Sequence, residues 1–240
     1  MITLGLFTKG QNNTKLTKSA AGKYMTIGLF LSPHTANSSG VNLCPFASPQ
    51  CVEACLNTSG LAGVFPRILP ARRRKSDEFL ADRGVFIERL KDEIEVYQRR
   101  AKKNGKRLAV RLNGTSDIDF PRHVFESFPH VQFYDYTKSP YRMQKYLAGM
   151  LPHNYHLTFS HSGENLKECI EVLQGKGHVA VVFSSSEFPK TWQGFKVKTG
   201  EESDLRFLDR GGPIVIGLKA KGRAKKQMSS FVIQIDKRGA

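Results

Sequence analysis

The sequence predicts a single α/β domain over residues 1–240, a partial parallel (βα)6 TIM-like barrel with extra edge strands. Three observations carry that expectation. Short apolar runs recur along the chain and helical patterns separate most of them, which implies right-handed βαβ crossovers and a parallel sheet. The run Val179-Ala180-Val181-Val182-Phe183 is apolar without alternation, as suits a strand covered on both faces. The units number about six, short of the eight of a closed barrel. No G-x-G-x-x-G follows the first run, which argues against a dinucleotide-binding open sheet.

The elements follow in order. Residues 1–22 are polar and rich in Gly, Lys and Thr, and read as an N-terminal arm, extended or paired at an edge. Strands are expected at 24–32, 108–113, 131–136, 155–160, 179–183 and 214–218. The clearest helix runs over 76–104, with Ser76 as N-cap, Asp77 and Glu78 in its first turn and Asn104-Gly105 at its exit. Phe79, Phe86, Ile87, Leu90, Ile94 and Tyr97 share one face of it. Shorter helices fit 121–128, 140–150 and 164–174, the first two opened by Pro121 and Pro140, whose missing N–H costs nothing in a first turn. Residues 190–210 read as an insertion or hairpin turning at Thr199-Gly200, and residues 223–240 as a C-terminal edge segment with a strand over 231–235.

Composition bounds the function. The 40% apolar and 10% aromatic residues supply a sizeable core and exclude a disordered chain. No apolar run approaches the roughly 20 residues of a membrane helix, and the first residues lack a signal-peptide pattern, so a cytoplasmic protein without a membrane partner is expected. Lys and Arg number 37 against 21 Asp and Glu, a net charge of +16, which attracts polyanions but selects none. Basic clusters stand at Arg67, Arg72, Arg73, Arg74 and Lys75; at Arg99, Arg100, Lys102, Lys103, Lys106 and Arg107; and at Lys219, Lys221, Arg223, Lys225 and Lys226. They make nucleic acid a candidate partner, with ordinary solvated faces as the alternative.

Three of the four cysteines fall within twelve residues, Cys44-x6-Cys51-x3-Cys55, in a loop over 33–60 after the first strand. Thiolates are soft ligands that suit iron–sulfur clusters or zinc. Structural zinc prefers paired C-x2–4-C ligands, and no second pair is present. A [4Fe-4S] cluster with three thiolates and one open iron fits better. Cys169 shares a helical face with Leu166, Ile170 and Leu173 and reads as a core residue before a fourth ligand.

In a parallel α/β fold, chemistry collects at the C-terminal ends of the strands. That rule selects Asn113, Ser116 and Ser160 as cofactor-binding candidates and Asp117, Asp135, His161 and Lys219 as catalytic ones. Each has a plainer account. Asp117 suits a turn and Asp119 a helix cap ahead of Pro121. Asp135 suits a partner in Lys138 or Arg111, His161 suits the surface, and Asp204 and Asp209 suit pairing with Arg206. No G-x-S-x-G elbow and no P-loop is present.

The cysteine trio in the loop after the first of about six βα units resembles the architecture of the radical S-adenosylmethionine superfamily. The resemblance implies a [4Fe-4S] cluster at the mouth of a partial barrel, with S-adenosylmethionine on its open iron. That superfamily's usual spacing is C-x3-C-x2-C, and its Gly-Gly-Glu-like stretch is replaced here by Asn113-Gly114-Thr115-Ser116-Asp117. The stretches CPFASPQCVEACLNTSG, AVRLNGTSDIDF, VQFYDYTKSP, NYHLTFSHS, ESDLRFLDRGG and GLKAKG are similar to those of a family of uncharacterised bacteriophage proteins with a three-cysteine loop. That resemblance implies a viral protein acting in the host cytoplasm. The expectation is therefore an iron–sulfur enzyme, radical-SAM-like or a Lewis-acid hydrolase or lyase, on a small-molecule or nucleic-acid substrate. The alternative is a basic nucleic-acid-binding protein with a structural iron–sulfur or zinc centre.

Overall fold

The computed structural model describes residues 5–10, 16, 22–58 and 60–235. Its centre is a ten-strand, mostly parallel sheet. Strand β1 (Phe7–Lys9) pairs antiparallel with β2 (Tyr24–Leu29). From β2 the sheet runs in chain order through β3 (Arg107–Arg111), β4 (Gln132–Thr137), β5 (Tyr155–Ser160) and β6 (Val179–Phe183), every neighbour parallel. Strand β7 (Thr191–Trp192) and β8 (Phe195–Thr199) form a hairpin at the far edge, and β9 (Val215–Lys219) lies between β8 and β6. The six strands expected from the sequence are all present, two of them, β5 and β6, with the expected limits. Among the described residues the sheet does not close on itself.

One face packs under the helices. The register places Ile27 beside Val110, Val110 beside Phe133 and Phe133 beside Tyr155, one apolar row across four strands. That row is buried in a single core with Phe79, Phe86, Leu90, Ile94, Val124 and Met143. These come from α3 (Ile68–Ala81), α4 (Arg83–Lys103), α5 (Arg122–Glu126) and α6 (Pro140–Leu147). Two shorter helices, α1 (Pro49–Glu53) and α2 (Leu61–Val64), precede them, and α7 (Leu166–Gln174) follows. Cys169 on α7 is fully buried in the same core, as its helical face predicts.

The other face is covered by the chain itself. After β8, residues 200–214 cross it before β9 begins. Leu205 packs with Tyr24, Ala109 and Tyr134, and the Phe207 ring lies 5.2 Å from Tyr24 and 5.9 Å from Tyr134.

Three local expectations are corrected. The helix expected over 76–104 is two helices. They break at Asp82, whose side chain caps α4 by accepting from the Val85 amide at 2.9 Å. Ser76 is no cap: it is buried within α3, where its hydroxyl donates to the Arg72 carbonyl and accepts from the Ser32 amide. The hairpin turns at Gln193-Gly194, both at positive φ, and not at Thr199-Gly200. The tail strand β10 (Val232–Ile233), with one partner among the described strands, is an edge element as expected, and it joins the sheet at interior β6, parallel to Val182 and Phe183. Of the N-terminal arm, residues 1–4, 11–15 and 17–21 lie outside the described residues.

Candidate functional site

The cysteine loop crosses the C-terminal ends of the strands and is tied down at three of them. After β3, the Asp117 amide donates to the Leu43 carbonyl at 2.8 Å. After β5, Ser48 donates to the Ser162 carbonyl, and it also caps α1 by accepting from the Cys51 amide. After β9, Gln227 donates to the Gln50 carbonyl at 3.0 Å and to Glu53 at 3.1 Å. Pro45 and Pro49 stiffen the segment between these ties.

All three loop cysteines are free thiols, and all are half-buried. The Cys44 thiol points to the Thr115 carbonyl at 3.6 Å. Burial pushes its pKa up to about 11. Burial, aided by Cys51, also raises that of Cys55. Thiols in this state keep their protons until a soft cation displaces them.

Lys138, directly after β4, links the three cysteines. Its ammonium hydrogen-bonds Cys51 and lies within electrostatic reach of Cys44 and Cys55. Burial works against this charge, but Cys51, Asp117 and Cys44 outweigh it and hold the lysine protonated above its ordinary pKa. The three thiols do not meet at a point. Among the described residues, no three His, Cys, Asp or Glu side chains are placed to hold a single metal ion.

The other candidates divide into occupied and open groups. Asp117 is occupied: its carboxylate accepts from Arg142 at 2.6 Å, from Thr137 at 2.8 Å and from the Lys138 amide at 2.8 Å. Asp135 is buried, and its hydrogen-bond partners are neither Lys138 nor Arg111, although Arg142 and Arg111 both favour its charge. It accepts from the Asn113 amide at 2.7 Å, the Asn113 side chain at 3.2 Å and Tyr155 at 3.0 Å. Asn113 is spent inside its own loop, accepting from Ser116 and Ile118. These residues hold the β3 and β4 ends rigid under the cysteine loop. Among the described residues the Ser160 hydroxyl has no such tie. His161 is buried, not on the surface. Its ring stands edge-on to Trp192 with Nδ1 unpartnered, and burial, with Lys138 nearby, lowers its pKa to about 4, so it is neutral at pH 7. Lys219 lies apart, its amide donating to Glu201 beside the Lys221–Glu201 pair.

Beside the cysteines opens a cleft of about 310 Å³, walled by Pro45, Phe46, Pro49, Pro140 and Phe159 and reaching Lys138.

A family model described as Gene product 88 matches residues 6–235. The chain belongs to that family. The match bears out a phage-type protein, and it spans the whole cysteine loop and every strand end above. No curated protein and no solved structure matches the chain.

Two groups escaped the sequence reading. Lys138 was legible only as a strand-end cation and a partner for Asp135, because nothing local announces that it meets Cys51. Arg142, buried between Asp117 and Tyr155, left only its place on a short helix as a signal. The basic clusters also divide. Lys75 is buried and donates to the Leu6 carbonyl, and Arg72 donates to Asn57 over the Phe30 ring, so neither is available to phosphates.

Proposed function

We propose that this is an iron–sulfur protein that holds a [4Fe-4S] cluster on Cys44, Cys51 and Cys55 and uses an open iron in catalysis. The single observation behind the reading is three free, half-buried thiols on one loop across the C-terminal ends of the strands, with the Lys138 ammonium hydrogen-bonded to Cys51. The donors are soft, the type that iron–sulfur clusters take. Lys138 offsets the negative charge that three thiolates bring to a half-buried site.

Bound there, the cluster would supply either electrons or a Lewis-acidic iron. The chain's own residues do the rest. Lys138 orients and neutralises the Cys51 thiolate. The Asp117–Arg142 and Asp135–Asn113–Tyr155 ties fix the floor. The cleft over Phe46, Phe159 and Lys138 admits a small substrate and limits water. His161 and the free Ser160 hydroxyl are the uncommitted polar groups at the β5 end, suited to hold or pass a proton or to bind S-adenosylmethionine. Asn113, Ser116, Asp117 and Asp135 would act on cofactor or substrate only through the framework they hold. Lys219, tied beside Glu201, has its role at the rim.

Anaerobic iron and sulfide analysis with an electron paramagnetic resonance spectrum tests the reading. A brown protein with close to four irons and four sulfides is expected, and Cys51→Ala is expected to lose both. A colourless protein carrying stoichiometric zinc would sink it. Reductive cleavage of S-adenosylmethionine to 5′-deoxyadenosine separates radical chemistry from Lewis-acid chemistry.

A further inference from the structure

The end of the sheet opposite the cysteine loop is built from helix exits and strand starts. Its most basic corner lies where α4 leads into β3. From Val96 to Ser116 the chain holds no Asp or Glu. The last turn of α4 carries Arg100, Lys102 and Lys103. Gly105, at positive φ, turns the chain, and Lys106 and Arg107 follow at once. The turn is tight, with the Lys106 amide donating back to the Ala101 carbonyl at 2.9 Å. The Arg107 amide donates to the Lys23 carbonyl at 2.9 Å, and the Arg107 guanidinium lies 5.5 Å over the Tyr24 ring. The corner therefore runs on from α4 across β3 to the start of β2. Lys23, Arg100, Lys102, Lys103 and Arg107 are all exposed, and none pairs with a carboxylate among the described residues. The connections that enter β4, β5 and β6, residues 127–131, 148–154 and 175–178, continue this edge and also contain no Asp or Glu.

Plainer accounts fall short. Cations in the last turn of a helix complement its exposed carbonyls, but Lys23 and Arg107 stand on the strand side and gain nothing from that. On the other helices, exposed cations pair along their own helix, as Arg74 does with Glu78, Arg122 with Glu126 and Lys167 with Glu171. Gathering unpaired like charges costs stability through self-repulsion, which an anionic partner relieves. No large apolar side chain is exposed at this corner, so it lacks the apolar centre of a protein–protein interface. The exposed aromatic rings, Phe46, Phe65 and Tyr141, lie on other segments, so unpaired bases have no ring to stack on here. Cations with neither feature suit the phosphate backbone of a duplex.

We infer that this corner, formed by Lys23, Arg100, Lys102, Lys103 and Arg107, binds the phosphate backbone of double-stranded DNA without regard to base sequence. The surface lies at the opposite end of the strands from the thiols, and the inference does not rest on the cluster.

The test titrates the full chain against a short fluorescent DNA duplex of mixed sequence, by anisotropy, between about 50 and 200 mM salt. Affinity is expected to fall as salt rises, with a logarithmic slope of about −4.5 for one phosphate contact from each of these residues. Duplexes of different base sequence are expected to bind alike. Lys102→Gln with Lys103→Gln, and Lys23→Gln with Arg107→Gln, are each expected to reduce the slope by about 2 and to weaken binding about ten-fold at the low-salt end. The control Arg122→Gln with Lys167→Gln removes the same charge from paired sites and is expected to bind as the wild type does. Thermal unfolding shows that each variant is folded, and either corner pair suffices for the comparison. Absence of duplex binding at the low-salt end overturns the inference. An equal loss in the control overturns it in favour of attraction by net charge alone. Tighter binding of the single strand than of the duplex overturns it in favour of a single-strand site.

Discussion

The Asp204 carboxylate is fully buried and accepts from the Arg111 guanidinium at 2.7 Å, although 93 positions separate the two residues. Tyr136 donates to the same carboxylate at 3.2 Å, and the Arg111 guanidinium stacks 4.7 Å over the Tyr136 ring. The pair joins β3 to the segment that crosses the open face of the sheet. Arg206, the partner expected for Asp204, pairs with Asp209 at 3.2 Å.

Removing one member of this pair strands a buried charge. Arg111→Met alone, or Asp204→Leu alone, is expected to destabilise the fold by about 3–5 kcal/mol. The double variant is expected to recover most of that loss. Guanidinium unfolding of the four proteins in a double-mutant cycle measures the coupling, and strict additivity would show that the pair does not act as a unit.

Asp82→Ala removes the cap between α3 and α4 and is expected to lose about 1 kcal/mol, a fall of about 2–4 °C in Tm. Ser76→Ala acts by another route. It leaves the buried Ser32 amide without its acceptor, a loss of about 1–3 kcal/mol. Calorimetry on both variants separates a lost cap from an orphaned donor.

Burial, with His178 and Arg206 nearby, lowers the His156 pKa to about 3, and Tyr146 binds its Nδ1 at 2.8 Å. Burial also lowers that of His178. The unfolded chain takes up a proton near pH 6.5 that the folded chain refuses until near pH 3. Stability is therefore flat above pH 6.5 and falls as pH drops through that window. Allowing for solvent contact, the loss between pH 7 and pH 5 is on the order of 1 kcal/mol. His156→Gln is expected to reduce the fall without abolishing it, because His161 and His178 are lowered too, read from the guanidinium midpoint at the two pH values.

Cys169→Ala is expected to lose roughly 1 kcal/mol of stability and no iron, because Cys169 lies in the helix-side core away from the loop thiols. Cys51→Ala is expected to do the reverse. Iron analysis on both variants distinguishes them, and iron lost from the Cys169 variant would mean that this thiol is a ligand.

Much of this molecule is legible locally. An alternating run places β5 and an unbroken apolar run places β6 to the residue, Pro140 opens α6, and the helical face of Cys169 puts it in the core. The cysteine spacing marks its loop as the place to look. Sequence periodicity carries the apolar stripe straight through Asp82, because Phe79 and Phe86 pack together across the break with ring centroids 5.4 Å apart. The stripe therefore looks continuous where the backbone is not.

By itself, the sequence determined what is set by neighbours along the chain: strand periodicity, helix faces, turn residues and the number of thiols in one loop. Only the tertiary structure decided which charges meet. Lys138 meets Cys51, Arg111 takes Asp204, β10 pairs with β6, and the turn at 56–58 meets the turn at 222–226. The reason is physical. Periodicity is fixed over a few residues, whereas a buried pair forms only once the strand order and the chain crossing have brought distant groups within a few ångströms in a medium where an unpaired charge is too unfavourable to remain.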